Sequence, residues 1–246
     1  MQNLHTHTVF SDGKNTAEEM VLAAIERGFD TVGISDHSYT FFDESYCMKK
    51  ADYPEYKKEL HRLKDKYAGR INVLCGIEQD TLSDMSTDGF DYIIGSVHYL
   101  YKNGIYIPVD EDLPTLKNAV QEHFGGDPYA LTEAYYELCA EVVERTHCTI
   151  IGHFDLIDKF IEQEPWIDPL HPRCMKAAEK AIDRLIGYGI PFEINTGAMS
   201  RGCRTDAYPA LPYRKLIKEK GGRFILSSDS HQASTIDYAF ERYSEI

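Results

Sequence analysis

The chain has 246 residues, of which 43% are hydrophobic and 27% are charged, values typical of a globular protein with a substantial buried core. Its formal net charge of −14 excludes nucleic-acid binding through a broad basic surface. No stretch approaches the ~20 consecutive apolar residues that a membrane-spanning helix needs, so we expect no membrane partner.

The cysteines and the N-terminus bear on the cellular compartment. The six cysteines are scattered and include no Cys-x-x-Cys pair. The N-terminus has neither the basic start nor the apolar run of a signal peptide. We therefore expect free thiols and a cytoplasmic location.

Short apolar strands alternate with amphipathic helices along the chain. Strands are predicted over residues 4–8, 31–35, 71–75, 92–97, 148–151, 191–195 and 223–227. Helices are predicted over residues 17–27, 54–67, 116–123, 129–146, 173–188 and 212–220. The first helix has the sequence of a capping box at Thr16 and Glu19. Asn103-Gly104 predicts a hairpin over residues 99–109.

The alternation predicts the fold class. Seven predicted strands separated by helical segments, without an internal repeat, indicate an α/β protein with a parallel sheet covered by helices. A doubly wound open sheet and a closed barrel both fit this pattern. Polar residues of metal-binding type follow nearly every strand, and a parallel barrel gathers such strand ends around one mouth. We therefore predict one barrel domain over residues 1–246.

Histidines and carboxylates lie at the ends of the predicted strands. His5 and His7 are two residues apart, so an extended chain presents both imidazoles on one face. The candidates are His5, His7, Asp12, His37, Glu78, His98, His153, Asp229 and His231. Any one of them alone is better explained by packing or capping, but their shared position favours a metal site. No thiolate is among them, and mixed imidazole and carboxylate ligation suits Zn, Mn or Fe with open positions.

In their order along the chain, these residues resemble the motifs of the PHP (polymerase and histidinol phosphatase) superfamily. The matching segments are His5-Thr6-His7, Asp12, Asp36-His37, Glu78, Ser96-Val97-His98, Gly152-His153 and Asp229-Ser230-His231. Within the superfamily, Asp12 and the segments 152–157 and 192–197 are similar to the histidinol-phosphate phosphatases. The resemblance implies a distorted seven-stranded (β/α)7 barrel with its metal site at the C-terminal strand ends.

The resemblance also implies a trinuclear centre of divalent ions. The first ion would be held by His5, His7, Glu78 and Asp229, the second by Glu78 as a bridge with His98 and His153, and the third by Asp12, His37 and His231. The implied reaction is hydrolysis of histidinol phosphate to histidinol and phosphate in histidine biosynthesis. We expect a hydroxide that bridges two metals to attack the phosphorus, with Glu78, Asp229 and His231 as the catalytic residues.

Basic and acidic residues near the strand ends are candidates for substrate contacts. Arg201 follows the sixth strand and is the first candidate for holding the phosphate, with Lys159 and Arg204 as alternatives. Family members often carry basic residues directly after the segment 155–157, whereas here Asp158 precedes Lys159. Glu193 or Asp155 could meet the ammonium group of the substrate, or could orient metal ligands instead.

Two other functions stay open at this point. A PHP-type phosphoesterase acting on a different small phosphate ester or a nucleotide has the same motifs. A metal-stabilised binding domain without activity is weakened because no expected ligand is missing. The long loop over residues 38–53 either walls the pocket with its aromatic side chains or forms a small separate core; these side chains are Tyr39, Phe41, Phe42 and Tyr46.

Overall fold

Parallel strands form the centre of the molecule. The structure is a computed structural model that describes residues 1–243. Its strands are β1 (Gln2–Asn3), β2 (Thr31–Ile34), β3 (Asn72–Asp80), β4 (Tyr92–Ser96), β5 (Tyr99–Lys102), β6 (Ile105–Pro108), β7 (Ile150–Ile151), β8 (Phe192–Asn195) and β9 (Phe224–Ser227). Seven of them form one parallel sheet in the order β1-β2-β3-β4-β7-β8-β9, and β5 with β6 forms a separate antiparallel hairpin.

The first and last strands of the sheet meet just beyond their C-terminal ends. Thr6 and Ser230 form an isolated parallel bridge. The His7 amide donates to the Ser230 carbonyl oxygen at 2.9 Å, and the Ser230 amide donates to the His5 carbonyl oxygen at 3.3 Å. This bridge nearly closes the sheet into a barrel, which confirms the predicted fold class and excludes the open sheet.

Helices surround the barrel. They are α1 (Ala17–Glu26), α2 (Tyr53–Lys66), α3 (Leu113–His123), α4 (Pro128–Cys139), α5 (Val142–Thr146), α6 (Pro172–Ile186), α7 (Gly197–Ser200) and α8 (Leu211–Glu219). The predicted capping box of α1 is present, since Thr16 accepts from the Glu19 amide and Glu19 accepts from the Thr16 amide. None of the helices within residues 1–243 combines the length and apolarity that crossing a membrane requires.

Three element predictions need correction. The helix predicted over residues 129–146 is two helices, because the chain makes a tight turn at Ala140 and Glu141 that no Gly or Pro marks in the sequence. The sheet pairing of the first strand stops at Asn3, so His5 and His7 follow the strand. The third strand continues to Asp80, and it therefore carries Glu78 inside the strand.

Tyr92 packs inside the barrel near β1, together with Leu4, Ile94 and Ile150. The Tyr92 hydroxyl donates to the Leu4 carbonyl oxygen at 2.5 Å, and its ring packs over two strand glycines. A Cβ atom at Gly33 would lie 2.2 Å from the Tyr92 hydroxyl oxygen, and one at Gly76 would lie 2.1 Å from the ring carbon Cζ. Glycine at both positions therefore provides the space for this ring.

We predict that Gly76→Ala lowers the free energy of unfolding by about 1–3 kcal/mol, because the new methyl group overpacks the barrel interior. Urea unfolding followed by circular dichroism measures the change. In a Tyr92→Leu background the same substitution should cost clearly less, since the clashing ring is gone. An equal cost in both backgrounds would show that Tyr92 is not the constraint.

Candidate metal centre

Nine side chains from the C-terminal strand ends converge at one end of the barrel, and we refer to them as the polar cluster. Its members are His5, His7, Asp12, His37, Glu78, His98, His153, Asp229 and His231. Glu78 lies near the C-terminal end of β3, and the other members follow strands at that same end of the parallel sheet, so side chains distant in sequence meet in space. The structure thus brings together all the residues that the motifs singled out.

Glu78 lies at the centre of the polar cluster, with its side chain fully buried. The ring nitrogens nearest to its carboxylate oxygens are His37 Nδ1 at 2.8 Å, His153 Nε2 at 3.0 Å, His5 Nε2 at 3.2 Å and His98 Nε2 at 3.3 Å. Burial alone raises the pKa of a carboxyl group, but His5, His37 and His98 outweigh it and hold the pKa of Glu78 well below its ordinary value. Glu78 is therefore an ionised carboxylate shared among several imidazoles.

Two further carboxylates extend the polar cluster toward solvent. Asp229 Oδ1 lies 3.1 Å from His7 Nε2, and Asp12 Oδ2 lies 3.2 Å from His231 Nε2. The side chains of Asp12 and His231 are 34% and 21% exposed, whereas those of His5 and His7 are fully buried. The polar cluster therefore extends from a fully buried interior to a partly solvent-exposed edge at Asp12.

Carboxylates behind the polar cluster orient its imidazoles. Glu193 Oε2 lies 2.8 Å from His5 Nδ1, and because an ionised carboxylate can only accept, Nδ1 carries the proton. His5 Nε2 is then a free lone pair directed at Glu78. Asp80 Oδ2 lies 3.3 Å from His98 Nδ1 and also accepts from the His98 amide at 3.0 Å. Asp80 is two residues beyond Glu78 on the same strand face, a signal that the sequence offered and that our prediction missed.

The structure itself tests whether metal ions fit here. Among the described residues, several buried atoms of the polar cluster have no partner in hydrogen-bond geometry: His5 Nε2, both ring nitrogens of His7, His37 Nδ1, Glu78 Oε2 and His153 Nδ1. Donor atoms bound to one tetrahedral zinc at about 2.0–2.1 Å lie roughly 3.3 Å apart, close to the separations around Glu78. Burying unpaired polar atoms is costly unless a cation binds them. The residues present fit divalent metal ions.

Three groups of the polar cluster each place candidate ligand atoms within 4.8 Å of one another. They are His7 with Asp12, His37 and His231; His5 with His7 and Asp229; and His37 with Glu78 and His98. Burial, with the neighbouring rings of His231 and His37, lowers the pKa of His7 to about 3. His7 is consequently neutral near pH 7 and able to donate a lone pair to a metal.

A cavity of about 320 Å³ opens beside the polar cluster. It is lined by members of the polar cluster on one side and by side chains from loops and the β5–β6 hairpin on the other. Of the aromatic loop residues considered in the sequence, Tyr46 lines the cavity, whereas Phe41 and Phe42 pack with Tyr106 of the hairpin. The loop over residues 38–53 therefore has both of the roles considered: Tyr46 forms part of the cavity wall, and Phe41 and Phe42 form a small aromatic cluster with Tyr106.

Arg201 and Lys159 line the cavity. Arg201 donates to Asp229 Oδ2 at 3.1 Å and to the Asp229 carbonyl oxygen at 3.1 Å. A Cβ atom at Gly197 would lie 2.7 Å from Asp229 Oδ2 and 2.9 Å from Arg201 Nη2, so this pairing requires a glycine there. Lys159 donates to Asp110 Oδ2 at 3.0 Å and is thereby tied to another cavity residue.

Three other candidates lie outside the cavity lining. The Arg204 guanidinium is buried, donates to Asp155 Oδ2 at 3.2 Å and packs over the Tyr208 ring. Glu193 is buried behind His5 and accepts from the His153 amide at 2.5 Å. The structure does not bring Arg204, Glu193 or Asp155 to the cavity, because each carboxylate or guanidinium is engaged inside the protein.

Sequence comparisons identify related proteins over most of the chain. The PHP domain family matches residues 3–197. A Schizosaccharomyces pombe protein named "Probable histidinol-phosphatase" is 30% identical over 250 residues, which cover 92% of this chain and 79% of that protein. The Bacillus subtilis histidinol-phosphatase is 26% identical, with 98% of this chain and 97% of that protein covered.

Solved structures share the fold. The crystal structure of the Lactococcus lactis histidinol phosphate phosphatase, which contains zinc, L-histidinol and phosphate, matches with a TM-score of 0.75 and 20% identity, covering 99% of this chain and 92% of that one. A Listeria monocytogenes crystal structure matches with a TM-score of 0.81 and 23% identity, covering 99% and 100% of the two chains. With the family match over residues 3–197, these similarities agree with the motifs read from the sequence: the chain belongs to the PHP domain family.

Proposed function

We propose that this protein is a metal-dependent phosphatase that hydrolyses histidinol phosphate to histidinol and phosphate, as a cytoplasmic enzyme of histidine biosynthesis whose catalytic domain spans residues 1–246. The observation that carries the proposal is the polar cluster, whose buried lone pairs lack partners beneath a cavity that also contains Arg201. The names of two relatives, matched over 79% and 97% of their own length, support the choice of substrate.

The polar cluster would hold three divalent ions. We assign the first to His5, His7, Glu78 and Asp229, the second to Glu78, His98 and His153, and the third to Asp12, His37 and His231. The third set lies at the partly exposed edge of the polar cluster, next to the cavity. His37 lies between the second and third sets, because its Nδ1 is 2.8 Å from Glu78 Oε2 and its Nε2 is 3.7 Å from Asp12 Oδ1.

Bound divalent ions would supply positive charge for the phosphate oxygens and lower the pKa of water near the phosphorus. The protein's own residues set the geometry for that chemistry. Glu78 provides negative charge at the centre of the site, and Ser96 donates to its Oε1 at 2.6 Å, which fixes the carboxylate plane. Glu193 and Asp80 fix the rings of His5 and His98. Such preorganisation reduces the cost of rearrangement during the reaction.

Arg201 is the residue that we assign to phosphate orientation. Its guanidinium lines the cavity while it contacts Asp229 and lies 3.2 Å from His231 Nδ1. A planar guanidinium can offer a phosphate two parallel hydrogen bonds, so it fixes orientation as well as charge. Lys159 is already bound to Asp110, which makes it the weaker candidate for this role.

The first prediction tests the function itself. Metal-loaded protein should hydrolyse histidinol phosphate with a higher kcat/KM than aryl phosphates, sugar phosphates, mononucleotides or a phosphodiester. Phosphate release across this panel measures the preference. If another small ester or a nucleotide is preferred by a wide margin, the protein is a PHP-type phosphoesterase of different specificity.

The second prediction concerns the central carboxylate. Glu78→Gln should abolish phosphatase activity and lower the metal content per chain, because an amide cannot supply negative charge to the ions that share this residue. Circular dichroism should show a largely intact fold. Elemental analysis measures the metal, and the exposed Glu137→Gln on α4 is the matched control. Full metal content together with normal turnover in Glu78→Gln would rule out the central role.

The third prediction concerns the guanidinium. Arg201→Ala should cost on the order of 2–4 kcal/mol of transition-state stabilisation, the effect of losing a preorganised charged donor. Arg201→Lys should recover only part, since it lacks the planar fork. Steady-state kinetics measure both, with metal content unchanged. Arg70→Ala, a change at an exposed arginine before β3, should have no effect, and an unaltered kcat/KM in Arg201→Ala would shift the assignment to Lys159.

A further inference from the structure

Asp43 is a carboxylate held rigidly in the cavity wall, outside the polar cluster. Its Oδ2 accepts from the Tyr99 hydroxyl, and its Oδ1 accepts from the Ser45 amide at 2.9 Å. Its backbone is also anchored, because the Thr40 hydroxyl donates to the Asp43 carbonyl oxygen at 2.7 Å. None of these partners is a cation, so the negative charge of Asp43 is fixed in place without being neutralised by them.

Two tyrosines separate Asp43 from the polar cluster. Tyr99 directly follows His98, and the Tyr46 ring centroid lies 5.0 Å from that of His37 and 6.1 Å from that of Tyr99. All of Asp43, Tyr46 and Tyr99 line the same cavity as the polar cluster. A molecule whose phosphate lies against the polar cluster would therefore extend along aromatic surface toward Asp43.

The other carboxylates near the cavity are less suited to bind a cationic group. Asp110 is paired with Lys159 at 3.0 Å, so its charge is already compensated. Glu111 lines the cavity but is exposed to solvent, where an ionic contact is weak. Glu193 and Asp155 do not line the cavity and are engaged by His5 and Arg204.

We propose that Asp43, positioned by Tyr99, binds the ammonium group of the substrate and so selects aminoalkyl phosphates over phosphate esters without an amine. This inference rests on the proposed phosphatase function and adds its specificity determinant. The ammonium group stays protonated at neutral pH, and a hydrogen bond between two charged groups is stronger than a neutral one. The Tyr99 hydroxyl fixes the carboxylate and does not itself need to touch the substrate.

The experiment compares two substrates that differ only in the amine: histidinol phosphate and 3-(imidazol-4-yl)propyl phosphate. Asp43→Asn should lower kcat/KM for histidinol phosphate about 10- to 100-fold, mainly through KM, the range expected for a lost charged hydrogen bond. The value for the substrate without the amine should stay unchanged. Tyr99→Phe should reduce the discrimination in the same direction but by less, because it releases the carboxylate without removing it.

Two comparisons make the result specific. Glu44→Gln removes a charge from the same loop at a residue that bonds Tyr39 outside the cavity lining, and it should change neither substrate. Metal content should equal that of the wild type in all variants. The inference is overturned if Asp43→Asn lowers activity equally for both substrates, or if Glu111→Gln rather than Asp43→Asn removes the discrimination.

The outcome also separates this inference from the function on which it rests. A wild-type enzyme that prefers histidinol phosphate in the substrate panel but treats the two paired substrates alike overturns the role of Asp43 and leaves the phosphatase function standing. A wild-type enzyme that hydrolyses neither paired substrate overturns both. Loss of discrimination in Asp43→Asn with full activity on the substrate without the amine supports both.

Discussion

The site depends on a carboxylate that is buried among imidazoles. Glu78 has no exposed side-chain surface, and four histidine nitrogens lie within 3.3 Å of its oxygens. A buried negative charge is tolerated only when positive charge lies beside it, and this charge comes either from protonated imidazoles or from metal ions bound to neutral ones. The arrangement is therefore balanced only by cations, and the barrel geometry that brings these strand ends together determines where the cations can lie.

Carboxylates outside the polar cluster orient its imidazole rings. Glu193 and Asp80 fix the protons of His5 and His98 on the side away from Glu78, so the free lone pairs face inward. Further carboxylates thereby lie directly behind the polar cluster. Among residues 1–243, the arginine and lysine side chains that line the cavity are Arg201 and Lys159, and the charge of Lys159 is partly compensated by Asp110. Whether such a protein binds an anion depends on the positive charge at the cavity, and the net charge of −14 does not predict it.

The sequence predicted the barrel and the members of the polar cluster because both follow local rules. An apolar strand followed by a histidine such as His5, His37 or His98 can be recognised from neighbouring residues, without knowledge of distant contacts. The parts that could not be predicted depend on tertiary packing. In the sequence, Asp43 is only one residue of the long loop over residues 38–53. Its place in the cavity wall follows from its bond to Tyr99 across the fold. Glu193 and Arg204 had suitable chemistry, but burial engages them elsewhere.

The bridge between Thr6 and Ser230 has a consequence for the order in which the molecule is assembled. It joins the segments that carry His5, His7 and Asp229, and Asn3 donates to Ser228 across 225 residues of sequence. Long-range pairing of this kind forms late in folding, because a large chain loop must close first. During synthesis on the ribosome, His5 and His7 emerge long before the segment that carries Asp229. The full set of candidate metal ligands therefore forms only after the segment with Asp229 and His231 has been synthesised, and a shorter nascent chain has only part of the set.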